Sequence, residues 1–475
     1  MGKTWGTVAE LARALRSDPA RLALCAGLAA GLVTSLAVNL PGHMSYDSVL
    51  QLWQGRTGVY NSWHPPVMAW LLGVGDRLVP GTALFVVFDS LLLYGSLAAF
   101  VFLRPHTSWW AAPVAVIWMA SPQGLVYPGI VWKDVLFAAS SLAGFAALAQ
   151  VDARWARPRV RAAWLAGAIL AWALAGLARQ NGLFVPLCGA AGLALIAARA
   201  TPTGRLRHAA AYGLGALAAC GLIITASDAA LATRSDGEPA ALLQIRDLQM
   251  YDLIAAVKAR PALRLDLIRQ ASPRLEQLIR TKGVAAYTPV RIDAIQEITD
   301  LQDAVSAAPD RLVSAQWREL VLRDPLLYLQ VRWSSFGWVL LTPELDQCLP
   351  VFVGVDGPQP WLGKLGLKSM TRANDKRLEA WTVSLTDTPV MSHAAYALLA
   401  LGVLARLLWR RRVGDLAVAA MIVAAFAFTA SFFIVGLACD YRYLYDLDVV
   451  AMAAAFYLAL GRGKPAAVAR AEQAR

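Results

Sequence analysis

An all-α polytopic membrane protein is the fold class that the sequence predicts, on three observations. Apolar residues fill 58% of the 475 positions, only 16% are charged, and the mean hydropathy is +0.49; a soluble chain carries about 25% charged residues. The apolar residues gather into repeated runs of roughly 20, long enough to cross a hydrocarbon core of about 30 Å as helix. Basic residues crowd the short loops between alternate runs, as loops retained in the cytoplasm do. That placement accounts for the net charge of +12, and nucleic acid is not an expected partner.

About ten spans are expected, near 22–40, 82–103, 109–127, 134–151, 162–178, 182–199, 208–226, 391–409, 415–436 and 443–460. Lys3, Arg13, Arg16 and Arg21 lead into the first run, and Asn39-Leu40-Pro41-Gly42 ends it without a small-x-small cleavage site. It reads as an uncleaved helix with a cytoplasmic N-terminus. The stretch 66–80 is too short to span and carries Asp76-Arg77, expected to pair with each other, so it reads as an interfacial helix in the first outer loop. Counting it as a span would turn three basic clusters outward: Arg154 to Arg161, Arg199 to Arg207, and Arg406 to Arg412, together with Arg462, Lys464, Arg470 and Arg475.

Three regions follow. Residues 1–226 form an N-terminal transmembrane module with an outer loop at 41–81; 227–390 form a mostly helical outer domain inserted before the last three spans; 391–475 hold those spans and a cytoplasmic tail. Within the outer domain, 317–338 carries aromatics and arginines in a pattern suited to the headgroup layer. Of five cysteines, Cys25, Cys188 and Cys220 lie in apolar runs as small hydrophobes. Cys348 and Cys439 fall outside the bilayer, where a disulfide persists if their Cα atoms come within about 7 Å. No CxxC pair or His/Cys cluster points to zinc, and no cofactor or metal is indicated.

The loop 39–66, NLPGHMSYDSVLQLWQGRTGVYNSWHPP, concentrates the chemistry. Asp47 opens a short helical pattern just beyond a bilayer boundary; an acid there is either a helix cap or a base. His64-Pro65-Pro66 gives a stiff approach to the next helix, with structure or substrate positioning ahead of metal binding. Lys133-Asp134 starts the helix that re-enters from the second outer loop, where the acid either answers the helix dipole or works beside Asp47. Arg179-Gln180-Asn181 forms the next outer turn and Arg442-Tyr443 the last. Both arginines run against the topological charge bias; they either snorkel to headgroups or hold a phosphate through their planar forks.

In that order, the chain resembles the GT-C superfamily of membrane glycosyltransferases, more narrowly the protein O-mannosyltransferases, aminoarabinose transferases and lipopolysaccharide-core sugar transferases. The resemblance rests on one span, an outer loop with Asp47, then His64-Pro65-Pro66, a second acid at Asp134 and the late Arg442-Tyr443. It covers 22–199 well and the final three spans loosely. Many members carry paired acids in the first loop, whereas Ser48 follows Asp47 here.

The resemblance implies a polyprenyl-phosphate-linked sugar donor and a glycan, lipid or protein acceptor. It places the active site on the outer face of a bacterial cytoplasmic membrane. It further implies Asp47 as base in an inverting displacement, Asp134 as orienting acid, and Lys133, Arg179 and Arg442 facing the leaving phosphate, with His64, Asn181 and Tyr443 binding substrate. The competing readings are a transporter or flippase of a lipid-linked saccharide, which inverted repeats and midplane charges would mark, and a non-catalytic assembly factor.

Overall fold

Helix follows helix in the computed structural model, which describes residues 18–60, 63–201, 203–232, 240–309 and 311–461. Among these residues, β-type pairing is limited to isolated bridges. Lys3, Arg13, Arg16, Arg462, Lys464, Arg470 and Arg475 lie outside them. The protein is an all-α polytopic membrane fold. Six helices are long and apolar enough to cross a bilayer: Pro19–Asn39, Ala83–Val101, Lys133–Ala153, Pro158–Ala178, Arg205–Leu231 and Asp415–Val435.

The four other expected spans are helical but shorter or more polar, for local reasons. The run 109–127 gives only Ala111–Met119 before Pro122 opens a new turn and Pro128 sits in a 3₁₀ turn, since proline lacks the N–H that would continue the ladder. Phe184–Ala200 has 17 residues. His393–Arg410 holds Arg406 and ends on Arg410. Tyr445–Ala459 begins with Asp446 and Asp448, both buried.

The chain divides into two compact units: 1–236 with 351–428 and 445–475, and 237–350 with 429–444. Residues 351–390, expected with the outer domain, therefore belong to the first unit. There Met44 N–H donates to Gly354 O at 2.8 Å, Asp356 N–H to Met44 O at 2.9 Å, and Trp361 meets Trp53 edge-on at 4.4 Å.

In the first unit the interfacial reading of 66–80 takes shape as Pro66–Leu78, with Val67, Met68, Ala69, Leu72 and Gly73 buried and Trp70, Val74 and Leu78 exposed. It crosses Tyr46–Thr57 at Gly55 and Gly73, where a Cβ on either glycine would run into the other helix's backbone. Asp76 does not pair with Arg77. It takes two hydrogen bonds from Arg56, both 2.8 Å, and one from Gly81 N–H at 2.7 Å, and Arg56 holds its carboxyl below the usual range. Adjacent side chains on a helix point apart, so Arg77 was never in reach.

The second unit packs Ala240–Ala259, Leu312–Arg323 and Pro325–Leu341 around a core of Tyr251, Ile254, Leu275, Ile279, Leu301 and Leu320. Cys348 and Cys439, whose pairing the sequence left open, form a disulfide, with Cα atoms 4.8 Å apart at a sequence separation of 91. Closing so long a loop stabilises by about 4–5 kcal/mol in the chain-entropy model. Replacing both cysteines by serine should lower the thermal midpoint of the purified protein under non-reducing conditions; an unchanged midpoint would show that the bond carries no stability.

Candidate active site in the outer loops

The loop after Pro19–Asn39 is fixed to the loop before Lys133–Ala153 by paired backbone. His43 N–H donates to Gly129 O at 2.8 Å and Val131 N–H to His43 O at 2.9 Å. Two side-chain bonds extend the seam: Ser48 Oγ to Val131 O at 2.6 Å and Trp132 Nε1 to Ser45 Oγ at 2.9 Å. This docking brings the start of Tyr46–Thr57 beside the start of Lys133–Ala153, and so Asp47 near Lys133.

The imidazole of His43 anchors the seam from within. Asn39 Nδ2 donates to Ser35 O and Leu125 O, both 2.7 Å, which leaves its Oδ1 as acceptor 2.9 Å from His43 Nε2. Gly354 N–H donates to His43 Nδ1 at 3.0 Å. The ring is therefore neutral with its proton on Nε2. Burial pushes its pKa down to about 4, with Arg372 lowering it and Asp375 raising it.

A histidine whose folded pKa lies below its unfolded value of about 6.5 contributes stability that is complete above pH 6.5 and lost as pH falls toward 4. The shift corresponds to roughly 3 kcal/mol. His43→Gln, whose amide can both donate to Asn39 and accept from Gly354, should flatten the pH dependence of the thermal midpoint across that window. An unchanged slope would remove His43 as its source.

Asp47 sits in the first turn of Tyr46–Thr57, but it is not the cap. Ser45 occupies that position, and its N–H donates to Ser48 Oγ at 3.2 Å. The capping role considered for Asp47 thus belongs to its neighbours, a division that Ser-Tyr-Asp-Ser alone leaves open. Asp47 Oδ1 instead lies 3.5 Å from His64 Nε2, and His64 Nδ1 lies 2.9 Å from Lys133 Nζ. An ammonium only donates, so the imidazole lone pair faces Lys133 and the ring N–H faces Asp47. His64 is buried; Asp47 and Lys133 are partly exposed.

Beside this chain of three, Asp134 pairs with Arg179, and both are buried, 3% and 7% exposed. Arg179 lies at the end of Pro158–Ala178 with its guanidinium over the Phe428 ring, turned into the protein rather than toward headgroups. The next residue, Gln180, donates to Trp63 O at 3.4 Å, linking this turn to the His64 loop, and Asn181 follows it, partly buried. The first unit thus gathers Asp47, His64, Lys133, Asp134 and Arg179. Arg442 and Tyr443 belong to the second unit, where Arg442 pairs with Asp440 at 3.0 Å and Tyr443 stacks on Phe432 at 5.3 Å.

Chemically, the cluster offers carboxylates to take a proton or orient a hydroxyl, and cations to meet an anion. Among the described residues no three His, Cys, Asp or Glu side chains gather as metal ligands.

No protein-family model and no curated protein matches the chain. Among solved structures, it is similar to the archaeal oligosaccharyltransferase AglB from Archaeoglobus fulgidus, in complex with an inhibitory peptide and a dolichol-phosphate, at 12% identity and a TM-score of 0.40. The match covers 96% of this chain and 53% of that one, so the chain spans about half the length of that structure.

Proposed function

We propose that the protein is a GT-C-type glycosyltransferase that moves a sugar from a polyprenyl-phosphate donor to a glycan, lipid or protein acceptor. The observation that carries the reading is the Asp47–His64–Lys133 chain, set beside the Asp134–Arg179 pair at the mouths of membrane helices. Asp47 accepts the proton of the acceptor hydroxyl as its oxygen attacks the anomeric carbon. The bond from that carbon to the phosphate oxygen breaks, its electron pair leaves with the lipid phosphate, and the configuration inverts.

Lys133 offsets the charge growing on the leaving phosphate, aided by Arg179. The ring N–H of His64 holds the Asp47 carboxylate, while Asp134 orients substrate through its own partner. Asn181 completes the substrate contacts. The protein lies in a bacterial cytoplasmic membrane and the site faces outward. Basic inner loops and a disulfide in the second unit, a bond typical of oxidising compartments, support that orientation.

Purified protein incubated with polyprenyl-phosphate sugars of several types tests the reaction: transfer from one of them supports the reading, and failure with all of them under acceptor-saturating conditions counts against it. For orientation, an export-dependent reporter fused after Ser235, which lies outside the described residues, should be active. An inactive one would place the site in the cytoplasm.

One observation favours a carrier of lipid-linked saccharide as a second reading. Asp89 and Asp446 are buried within the first unit, as is the Asp448–His393 pair at 2.8 Å, and intramembrane acids mark transport pathways. Transfer in detergent, where nothing is moved between compartments, separates the two.

A further inference from the structure

In the second unit, Pro325–Leu341 leaves one side uncovered, where Leu326, Leu329 and Trp333 stand with the polar but uncharged Gln330 and Ser334. Leu326 is 80% exposed, Leu329 48% and Trp333 55%, and Leu322 on the preceding helix is 80% exposed. Steps of three and four residues put Leu326, Leu329 and Trp333 on one stripe; Leu322 lies before the break at Asp324. Soluble surfaces rarely leave so many large apolar side chains together.

The one charged residue in this 17-residue helix is Arg332, and it does not face outward. It is fully buried, bonding Asp252 Oδ1 at 2.9 Å, Phe433 O at 2.8 Å and Gly436 O at 2.8 Å. The outward side therefore carries no charge. Arg318 and Arg323 stand exposed beyond its N-terminal end, Arg323 paired with Glu319 at 2.5 Å, where headgroup phosphates would meet Arg318 and compete for Arg323.

Those two carbonyls also fix the height of the helix. Phe433 lies in the last turn of Asp415–Val435, a helix long and apolar enough to cross the bilayer, and Gly436 follows it. Phe336 packs against Phe433 at 5.8 Å, and Ile434 and Val435 are exposed alongside. Arg332 thus ties the uncovered stripe to the end of a membrane span. At a rise of 1.5 Å per residue the helix is about 25 Å long, short of the roughly 30 Å core.

We propose that Pro325–Leu341 is embedded in the lipid layer at that end of the span, with Leu326, Leu329 and Trp333 against acyl chains and Arg318 and Arg323 at headgroup phosphates. The occupant is the bilayer itself. A second copy is the weaker candidate, because a stripe held at the end of a membrane span meets lipid before it meets another chain. The second unit is on this account anchored to the membrane by a helix that does not cross it, independently of the chemistry assigned to the outer loops.

Spin labels test this in the full chain in liposomes, with Cys25, Cys188 and Cys220 changed to alanine and the disulfide kept. Labels at 326, 329 and 333 should collide more with oxygen than with a water-soluble nickel complex, and a label at the exposed Arg264 should show the reverse. A nickel preference at all three would overturn the proposal. So would spin–spin broadening at 333 that vanishes on dilution with unlabelled protein, which would put a second copy on the stripe. As a check free of substitutions, a phospholipid with a photoreactive acyl chain should label 322–341 of the unaltered protein; labelling confined to other helices would also overturn it.

Discussion

Asp47→Asn is expected to lower sugar transfer by about 10²- to 10⁴-fold, the usual range for loss of a general base, while the protein stays folded. The geometry makes the substitution clean. Ser45 and Ser48 cap the helix, so its start survives, and the asparagine oxygen can still accept from the His64 ring N–H that now faces Asp47 Oδ1 at 3.5 Å. Only the ability to take a proton is removed. His64→Gln should cost less, because it loosens the carboxylate without removing it. Transfer by the purified variants, with thermal midpoint and membrane yield as controls, decides. Near wild-type transfer by Asp47→Asn would leave the acid no part in the chemistry.

The sequence showed the fold class because bilayer thickness sets a run length that composition alone reveals. It failed where a break depends on one residue, as at Pro122 and Pro128, inside a run that hydropathy averages over. The outer-loop acids were visible as types in places, but their partners were not. Arg56 meets Asp76 across 20 residues, and His43 meets Gly354 across 311, separations at which periodicity says nothing. Residues 351–390 were assigned by polarity, which reports exposure to water rather than which unit a segment packs in. Asp47 and Ser45 show the same limit at short range. Either could cap the helix, and the choice fell to Ser45 once the seam at Val131 and Trp132 had fixed both serines.

Arg179→Met is expected to destabilise the protein by about 3–5 kcal/mol, because it takes the guanidinium from a buried carboxylate. Asp134 is 3% exposed and Arg179 7%, too deep for water to replace either charge. Transfer by Arg179→Met therefore reads folding and chemistry together. The double variant Asp134→Leu with Arg179→Met separates the two roles, since replacing both ions with apolar groups is often neutral for stability. Its thermal midpoint should recover most of the loss, a coupling that the double-mutant cycle reads directly. Transfer should stay low, because the cation beside the leaving phosphate and the acid that orients substrate are both gone. A double variant that regains stability and transfers sugar at the wild-type rate would reduce the pair to a brace between the second and third outer turns and leave Lys133 to meet the phosphate.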